Sequence, residues 1–238
     1  MQSMFRSLLY YAVFIIVTIA VSLFVLITMP FSRSLSHRIV VKGAQTVMLA
    51  LKWICHLDLH IEGLNHVKRD ETYVIVSNHQ SAWETVAFLA YFPNATFVLK
   101  QELFWIPILG LVIWGIAPVA IRRSDGRKAL KKVREHGRQR LSKGMNLILF
   151  PEGTRMDAGQ LGEFKKGAAR IAIESKSSVI PVVHNAGWFW PKSTICKQPG
   201  TVSVKVGAPI SSDGVNEHEL NGQLRSWMEQ SSSNLPTQ

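Results

Sequence analysis

Hydrophobic and polar positions follow three different patterns along this chain. Residues 8–29 contain no charged side chain, which predicts one long helix of about 33 Å at about 1.5 Å per residue. Residues 39–57 are apolar with one stripe of polar positions, which predicts a second, amphipathic helix. From residue 58 onward, short β-rich runs alternate with helical segments, which predicts an α/β domain with a mixed, largely parallel sheet.

The α/β part is expected to contain seven strands, four helices and a polar tail. The strands are predicted at 57–61, 73–77, 96–99, 118–121, 146–150, 179–183 and 202–206. The helices are predicted at 83–90, 127–141, 166–174 and 217–230. We therefore divide the chain into an anchoring helical motif (1–57), an α/β domain (58–230) and a disordered tail (231–238).

The first helix is long enough for the bilayer, whose hydrocarbon core is about 30 Å thick. A secretory signal is the competing interpretation, but the apolar run is longer than usual and no small-residue cleavage site follows it. Whether the helix crosses the bilayer or dips into one leaflet stays open. The second helix either lies in the interface or packs its apolar face on the soluble domain.

The composition combines an apolar excess with a basic one. Of the 238 residues 47% are hydrophobic, and 27 Lys and Arg against 16 Asp and Glu give a net charge of +11. This composition excludes a disordered chain. The two cysteines, Cys55 and Cys196, form neither a disulfide framework nor a zinc motif. We expect no metal and no cofactor.

The positive charge is concentrated in residues 122–143, which hold ten basic and two acidic side chains. This segment is either a solvated basic face or a contact for anionic lipid or another acidic partner. The basic residues after the first helix outnumber the single Arg6 before it, which favours a cytoplasmic position for the rest of the chain.

Nucleic acid is not expected as a partner of this basic chain. No nucleic-acid-binding motif occurs in the sequence, and an apolar membrane anchor is not typical of a nucleic-acid-binding protein.

Two loops after predicted strands carry candidate chemistry. In VIVSNHQSAWET, His79 follows an apolar strand and Glu84 follows five residues later. The two side chains meet only if His79 precedes a helix and Glu84 reaches back from its first turn, an arrangement that suits a general base. In NLILFPEGTR, Gly153 permits a tight turn, and the guanidinium group of Arg155 can donate two hydrogen bonds to a phosphate. Glu152 is expected to accept a hydroxyl or to hold Arg155.

Several ordered blocks together resemble the glycerolipid acyltransferases, most closely the bacterial 1-acyl-sn-glycerol-3-phosphate acyltransferases. The blocks are VSNHQSAWET, FPEGTR, Lys100 after TFVL, IRRSD with Arg123, FKKG and VIPV. The resemblance spans roughly residues 58–210. It implies an α/β acyltransferase fold, preceded by a membrane-associated two-helix motif.

The resemblance also implies roles for individual residues. His79 matches the family's base and Glu84 its orienting acid, although the usual acid is Asp. Substrate-binding positions are Glu152, Gly153, Thr154, Arg155, Lys100 and Arg123, and the positions that shape the acyl path are Ile180 and Pro181. Around Arg123 the family pattern is altered, because Ala117 and Arg122 stand where a Gly and an acid are common.

The activity implied is transfer of a fatty acyl group to the sn-2 hydroxyl of lysophosphatidic acid, which forms phosphatidic acid in phospholipid biosynthesis. The partners implied are membrane lipids, lysophosphatidic acid, and acyl-CoA or acyl carrier protein as donor. The implied location is the cytoplasmic side of a bacterial inner membrane. Alternatives are an acyltransferase for another lysophospholipid or an amino-acid-containing lyso-lipid, and an inactive membrane-binding module.

Overall fold

The computed structural model describes residues 2–122 and 126–237. The helices in this part are α1 (Gln2–Thr28), α2 (Arg33–Cys55), α3 (Trp83–Tyr91), α4 (Leu109–Gly115), α5 (Arg127–Leu141), α6 (Gly167–Ser175), α7 (Ala186–Phe189) and α8 (Glu217–Ser233). The strands are β1 (Leu57–Glu62), β2 (Val74–Ser77), β3 (Ala95–Lys100), β4 (Val119–Ile121), β5 (Asn146–Leu149), β6 (Val179–His184) and β7 (Gly200–Val206). Short 3-10 turns cover Leu64–His66 and Gln101–Trp105.

The strands form one sheet in the order β1-β7-β6-β2-β5-β3-β4. Every neighbouring pair is parallel except β6 with β7, which is antiparallel. The central strand β2 lies between β6 and β5, and the carboxyl ends of these three strands meet at one edge. The predicted mixed, largely parallel sheet is therefore confirmed.

Both faces of the sheet are covered by helices, because successive strand residues point to opposite sides. Ile75, Ile148 and Ile180 belong to the core shared with α1, α2 and α3. Val74, Val76 and Leu147 belong to a second core, which α5, α6 and α8 complete. Strands buried on both faces explain the nearly continuous apolar runs in the sequence.

Both N-terminal helices contribute side chains to the core of the α/β part. The buried face of α2 includes Val40, Val47, Met48 and Leu51, in the same core as Ile75. The packing of the second helix on the domain, one of its two predicted positions, is therefore observed. Residues 2–57 share this core with the rest of the chain and are not a separate packing unit. In the described residues α1 alone is long and apolar enough to cross a membrane.

A buried lysine joins the first half of α1 to the α/β part. Lys197 is 1% exposed, and its Nζ lies 3.5 Å from the centroid of the Tyr11 ring and 4.1 Å from that of Trp190. The Lys197 backbone N–H also donates to Ser7 Oγ at 2.9 Å. Burial lowers the pKa of Lys197 to about 8, while the aromatic rings stabilise its charged form by cation–π attraction.

Three details differ from the sequence-based expectation. The helices α4 and α7 were not predicted, because the segment around α4 has no polar position to mark a period and α7 has only four residues. The frayed tail expected at 231–238 is corrected for its first part, since α8 continues to Ser233 and Leu235 packs on the second core. Asn185 Nδ2 also donates to the Pro236 carbonyl at 2.8 Å.

The contact between α1 and α2 depends on a glycine, and this gives a first prediction. A Cβ at Gly43 would lie 2.4 Å from Cγ2 of Val21. We expect Gly43→Ala to lower the free energy of unfolding by about 1–3 kcal/mol, because the helices must separate. The matched control is Gly222→Ala in α8, where a Cβ meets nothing within 4 Å and helix propensity favours Ala. Thermal unfolding in detergent checks both, and equal shifts would contradict the prediction.

Candidate active site

The candidate site lies where β2, β5 and β6 end at the same edge of the sheet. The chain leaves β2 at Ser77 and continues into Asn78 and His79. It leaves β5 at Leu149 and continues through Phe150 to Glu152, while β6 ends with His184 itself. This is the edge where open parallel sheets bind ligands.

His79 and Glu84 form the pair that the sequence predicts. His79 Nδ1 lies 2.7 Å from Glu84 Oε1. His79 precedes α3, whereas Glu84 is in the first turn of that helix and reaches back. A Glu therefore bridges the distance that the shorter Asp bridges in the usual motif. The carboxylate accepts from Nδ1, which leaves Nε2 as the unprotonated nitrogen of the neutral ring.

The Glu84 carboxylate is fully buried and also organises the start of α3. Besides His79, its Oε1 accepts hydrogen bonds from the backbone N–H groups of Gln80 at 3.0 Å and Ser81 at 2.9 Å. Burial alone would raise the pKa of Glu84. The neighbouring His184 and His79 and the Ser81 N–H outweigh that effect, so the pKa of Glu84 lies below its ordinary value. The residue is a carboxylate at neutral pH.

The His79 ring is held between a carboxylate and an aromatic ring. It stacks on Phe150, with ring centroids 4.1 Å apart and ring planes 16° apart. The His79 side chain is 15% exposed, whereas that of Glu84 is fully buried. Within residues 2–122 and 126–237, no group bonds Nε2. The ring therefore has one orientation, and its free nitrogen faces the accessible side.

Asn78 and His184 clamp the loop after β2 to the end of β6. Asn78 Nδ2 donates to the His184 carbonyl at 2.9 Å, and the His184 N–H donates to Asn78 Oδ1 at 3.0 Å. His184 Nε2 lies 3.0 Å from the Asn78 carbonyl and 3.9 Å from Glu84 Oε2. Burial lowers the pKa of His184, although the nearby Glu84 carboxylate opposes this shift, and the Asn78 carbonyl accepts a hydrogen bond from Nε2.

Glu152 has a different place from the one expected. It is 5% exposed, and its Oε2 accepts from the His79 N–H at 2.8 Å while its Oε1 accepts from the Gly162 N–H at 3.2 Å. In the described residues it makes no ion pair with Arg155, so the idea that it holds Arg155 is corrected. Burial raises the pKa of Glu152 to about 7, although both hydrogen bonds oppose this shift.

The loop after Glu152 presents an accessible, cationic surface. Gly153 has φ +70°, the tight turn expected there, and a Cβ at this position would lie 2.8 Å from Lys165 Nζ. Thr154 and Arg155 are exposed, and the Arg155 carbonyl accepts from Lys192 Nζ at 3.2 Å. The structure therefore places Lys165, from the FKKG block, beside the expected phosphate loop.

The remaining predicted residues are spread over the sheet. Lys100 is exposed at the carboxyl end of β3, at the same edge as the site. Ile180 and Pro181 are buried inside β6, opposite Ile75 and Val76 of β2, so their part in an acyl path stays a prediction. Arg123 lies outside the described residues. Elsewhere in the chain, no three His, Cys, Asp or Glu side chains of the described residues come together as a metal site requires.

Three residues of the site were not singled out from the sequence as parts of it: Asn78, Phe150 and Lys165. A buried amide directly after a buried strand, as at Asn78, is a signal that could have been used, because such a group needs partners on a neighbouring strand. Phe150 looked like one more strand residue. Its stacking on His79 depends on the pairing of β2 with β5.

Comparison with known proteins identifies the family. The acyltransferase family model matches residues 58–185, more than half of the chain. The chain is also 35% identical, over 178 residues, to the 1-acyl-sn-glycerol-3-phosphate acyltransferase of Pseudomonas aeruginosa. The aligned residues make up 74% of this chain and 69% of that protein. The chain belongs to the acyltransferase family. The resemblance found in the sequence motifs is thereby confirmed.

Further relatives and a solved structure agree with this assignment. A 1-acyl-sn-glycerol-3-phosphate acyltransferase of Limnanthes douglasii is 30% identical over 186 residues, 77% of this chain and 66% of that protein. The crystal structure of the 1-acyl-sn-glycerophosphate acyltransferase PlsC of Thermotoga maritima matches with a TM-score of 0.84 over 100% of both chains, at 23% identity. Because this match covers the whole chain, α1 and α2 belong to the fold that the two proteins share.

The raised pKa of Glu152 predicts a stability that depends on pH. The ordinary pKa of a Glu side chain is 4.5, and that of Glu152 in the folded chain is about 7. At pH values between these two, the folded chain binds a proton at Glu152 that the unfolded chain does not. The contribution of Glu152 to the free energy of unfolding therefore falls as pH rises through that interval. We expect Glu152→Gln, which cannot titrate, to gain stability relative to the native chain between pH 5 and pH 8.

Chemical denaturation of both proteins at several pH values between 5 and 8 measures this difference. The amide cannot accept from two N–H groups in the same way, so the variant starts from a lower stability at pH 5. Only the slope with pH tests the prediction. Parallel stability curves for the two proteins would contradict it.

Proposed function

We propose that this acyltransferase moves a fatty acyl group from a thioester to the sn-2 hydroxyl of 1-acyl-sn-glycerol-3-phosphate, which forms phosphatidic acid. The acyl donor is acyl-CoA or acyl carrier protein. The observation that carries the proposal is the oriented His79, with Nδ1 on a buried carboxylate and Nε2 on the accessible side. The names of the relatives support the choice of acceptor.

His79 acts as the general base in this mechanism. Glu84 holds the proton on Nδ1, so the lone pair of Nε2 is available for the sn-2 hydroxyl proton. When the proton arrives, the imidazolium lies beside a carboxylate whose pKa is lowered, and the two charges attract each other. Glu84 is thus a positioning residue that also stabilises the charged ring.

The acyl group moves in one displacement without an acyl-enzyme. As Nε2 takes the hydroxyl proton, the hydroxyl oxygen attacks the thioester carbonyl carbon and forms a tetrahedral intermediate. The intermediate collapses, the carbon–sulfur bond breaks, and the thiolate leaves. The proton on Nε2 then neutralises the thiolate, which returns His79 to its neutral form. Holding both substrates at the sheet edge supplies the proximity that this reaction needs.

The cationic loop after β5 is the proposed site for the acceptor's phosphate. Arg155 is exposed there, and Lys165 lies beside the Gly153 turn. A guanidinium matches two phosphate oxygens at once, while an ammonium adds charge. Lys100 is a further candidate at the same edge. Glu152 contributes indirectly, because it binds the His79 N–H and ties the base to this loop.

The α5 helix is the proposed electrostatic surface for an anionic donor or anionic lipid. Two of its arginines have internal partners, since Arg134 pairs with Glu174 and Arg140 Nε donates to the Ala117 carbonyl. Lys128, Lys132 and Arg138 are exposed. These side chains would meet phosphate groups of coenzyme A, acidic residues of a carrier protein, or a membrane.

The proposed location is the cytoplasmic surface of a bacterial inner membrane. The apolar α1 provides the attachment, and the exposed Arg38, Lys42 and Lys52 of α2 follow it in the chain. Positive charge beside a membrane segment favours the cytoplasmic side. This side is also where an acyl thioester of coenzyme A or carrier protein would be available.

We expect His79→Ala to lower kcat by about 10²- to 10⁴-fold, because the general base is lost. The measurement is acyl transfer to lysophosphatidic acid with each thioester donor. The matched control is His218→Ala, an exposed histidine at the start of α8. Unfolding curves and vesicle flotation of His79→Ala should equal those of the native chain. Full activity in a folded His79→Ala protein would overturn the mechanism.

We expect Arg155→Ala to raise KM for lysophosphatidic acid about 10- to 100-fold with little change in kcat, since one hydrogen bond to a charged group contributes about 1.5–3 kcal/mol. The matched control is Arg69→Ala, an exposed cation in the loop before β2. Measuring KM for a 1-acylglycerol without phosphate separates charge recognition from misfolding. A KM for lysophosphatidic acid equal to the native value would remove Arg155 from the acceptor site.

A further inference from the structure

A second apolar surface lies beside α1, in a segment that the anchoring motif does not include. Residues 103–121 contain no charged side chain and no Ser, Thr, Asn, Gln or His. Only part of this segment is buried. Trp105 is 80% exposed, Trp114 53%, Ile108 44% and Ile106 42%. We call these four side chains the aromatic patch.

Exposed side chains of this size so close together indicate a contact surface. Single exposed apolar residues are normal, whereas contiguous apolar patches on a protein surface mark sites for a partner or a membrane. Trp105 and Trp114 line a groove of about 520 Å³ together with Pro107, Leu111 and Lys132. The apolar groove thus has a cation from α5 at its rim.

The backbone of this segment is held in a strained shape that projects the patch. Ile108 has φ +68° and ψ −57°, and the Leu109 N–H donates to the Pro107 carbonyl at 2.7 Å. This is the rare γ-turn of positive φ, which is unfavourable for a β-branched residue. Such strain persists only where the surroundings impose it. Ser22 Oγ of α1 donates to the Ile108 carbonyl at 2.8 Å and holds the turn.

The patch is continuous with the apolar α1. Next to the Ser22 contact, Gly115 at the end of α4 lets Val25 of α1 and Val40 of α2 approach closely, since a Cβ there would lie 3.3 Å and 2.8 Å from their Cγ2 atoms. On α1 itself, Leu23, Phe24 and several other large apolar side chains are exposed. Two exposed apolar surfaces joined by direct packing are expected to meet the same partner.

We propose that the aromatic patch enters the same membrane leaflet as α1, as a second lipid contact of this chain. Trp105 and Trp114 lie at the headgroup level, where tryptophan is favoured because its ring is apolar and its N–H is polar. Lys132 and the exposed cations of α5 face anionic headgroups beside the patch. The proposal rests on the membrane location given under the proposed function and does not depend on the reaction catalysed.

This second contact orients the active site relative to the membrane. A single helix leaves the protein free to rotate about the helix axis, whereas a helix and a separate patch do not. The patch begins five residues after Lys100, at the edge of the sheet that carries His79. In this orientation the cations proposed to bind the acceptor's phosphate lie near the headgroup level, where a lysolipid presents that phosphate.

The experiment measures lipid contact at single labelled positions of the full chain. In a Cys196→Ser background, in which the remaining Cys55 is buried, the variants Trp105→Cys and Trp114→Cys each carry an environment-sensitive fluorophore. Phe24→Cys in α1 is the lipid-contacting reference. Asp213→Cys is the water-exposed control, because it follows Ile210, which pairs with the start of β6 at the opposite edge of the sheet. Protein bound to vesicles of phosphatidylethanolamine and phosphatidylglycerol is isolated by flotation.

Spin-labelled lipid in the same vesicles then quenches the labels that touch lipid. We expect labels at positions 105 and 114 to be quenched as strongly as the label at position 24, with a blue-shifted emission, while the label at position 213 is unaffected. Labels at 105 and 114 that both behave like the one at 213 would overturn the proposal. Energy transfer between labels without lipid quenching would assign the patch to a second copy of the chain and also overturn it. Since no acyl transfer is measured, these outcomes are independent of the proposed reaction.

Discussion

The candidate active site of this protein depends on one buried carboxylate oxygen. Glu84 Oε1 accepts from the His79 ring and from the backbone N–H groups of Gln80 and Ser81. It therefore fixes the ring, the loop before α3 and the start of that helix at once. A buried charge is unfavourable unless hydrogen bonds satisfy it, and here three donors converge on a single atom. Loss of the carboxylate would leave two buried backbone donors and the ring unpaired.

The loop that carries His79 is tied to both strands that flank β2. On one side, Asn78 exchanges hydrogen bonds with His184 at the end of β6. On the other side, Glu152 after β5 accepts from the His79 N–H, and the Met156 N–H donates to the His79 carbonyl at 2.7 Å. The position of His79 is therefore set by hydrogen bonds on both sides, while the loop after Glu152 stays accessible.

Charge and hydrophobicity are divided between surfaces with different partners. The sheet is covered on both faces, and most of the large apolar side chains that remain exposed lie on α1, α2 and the aromatic patch. The basic excess lies on α5, where Arg134 and Arg140 have partners inside the protein and Lys128 and Lys132 are exposed. A cationic helix next to an apolar surface suits an enzyme whose substrates combine an acyl chain with phosphate.

The sequence by itself determined the strands, most helices and the pairing of His79 with Glu84. These features follow from local patterns, because burial on two faces produces apolar runs and the five-residue spacing permits only one geometry at a helix start. The tertiary structure decided the role of Glu152, the clamp between Asn78 and His184, the stacking of Phe150 and the exposure of Trp105. Each of these depends on which strands are neighbours and on where the helices cover them, and an apolar run without polar positions does not indicate which of its side chains remain exposed.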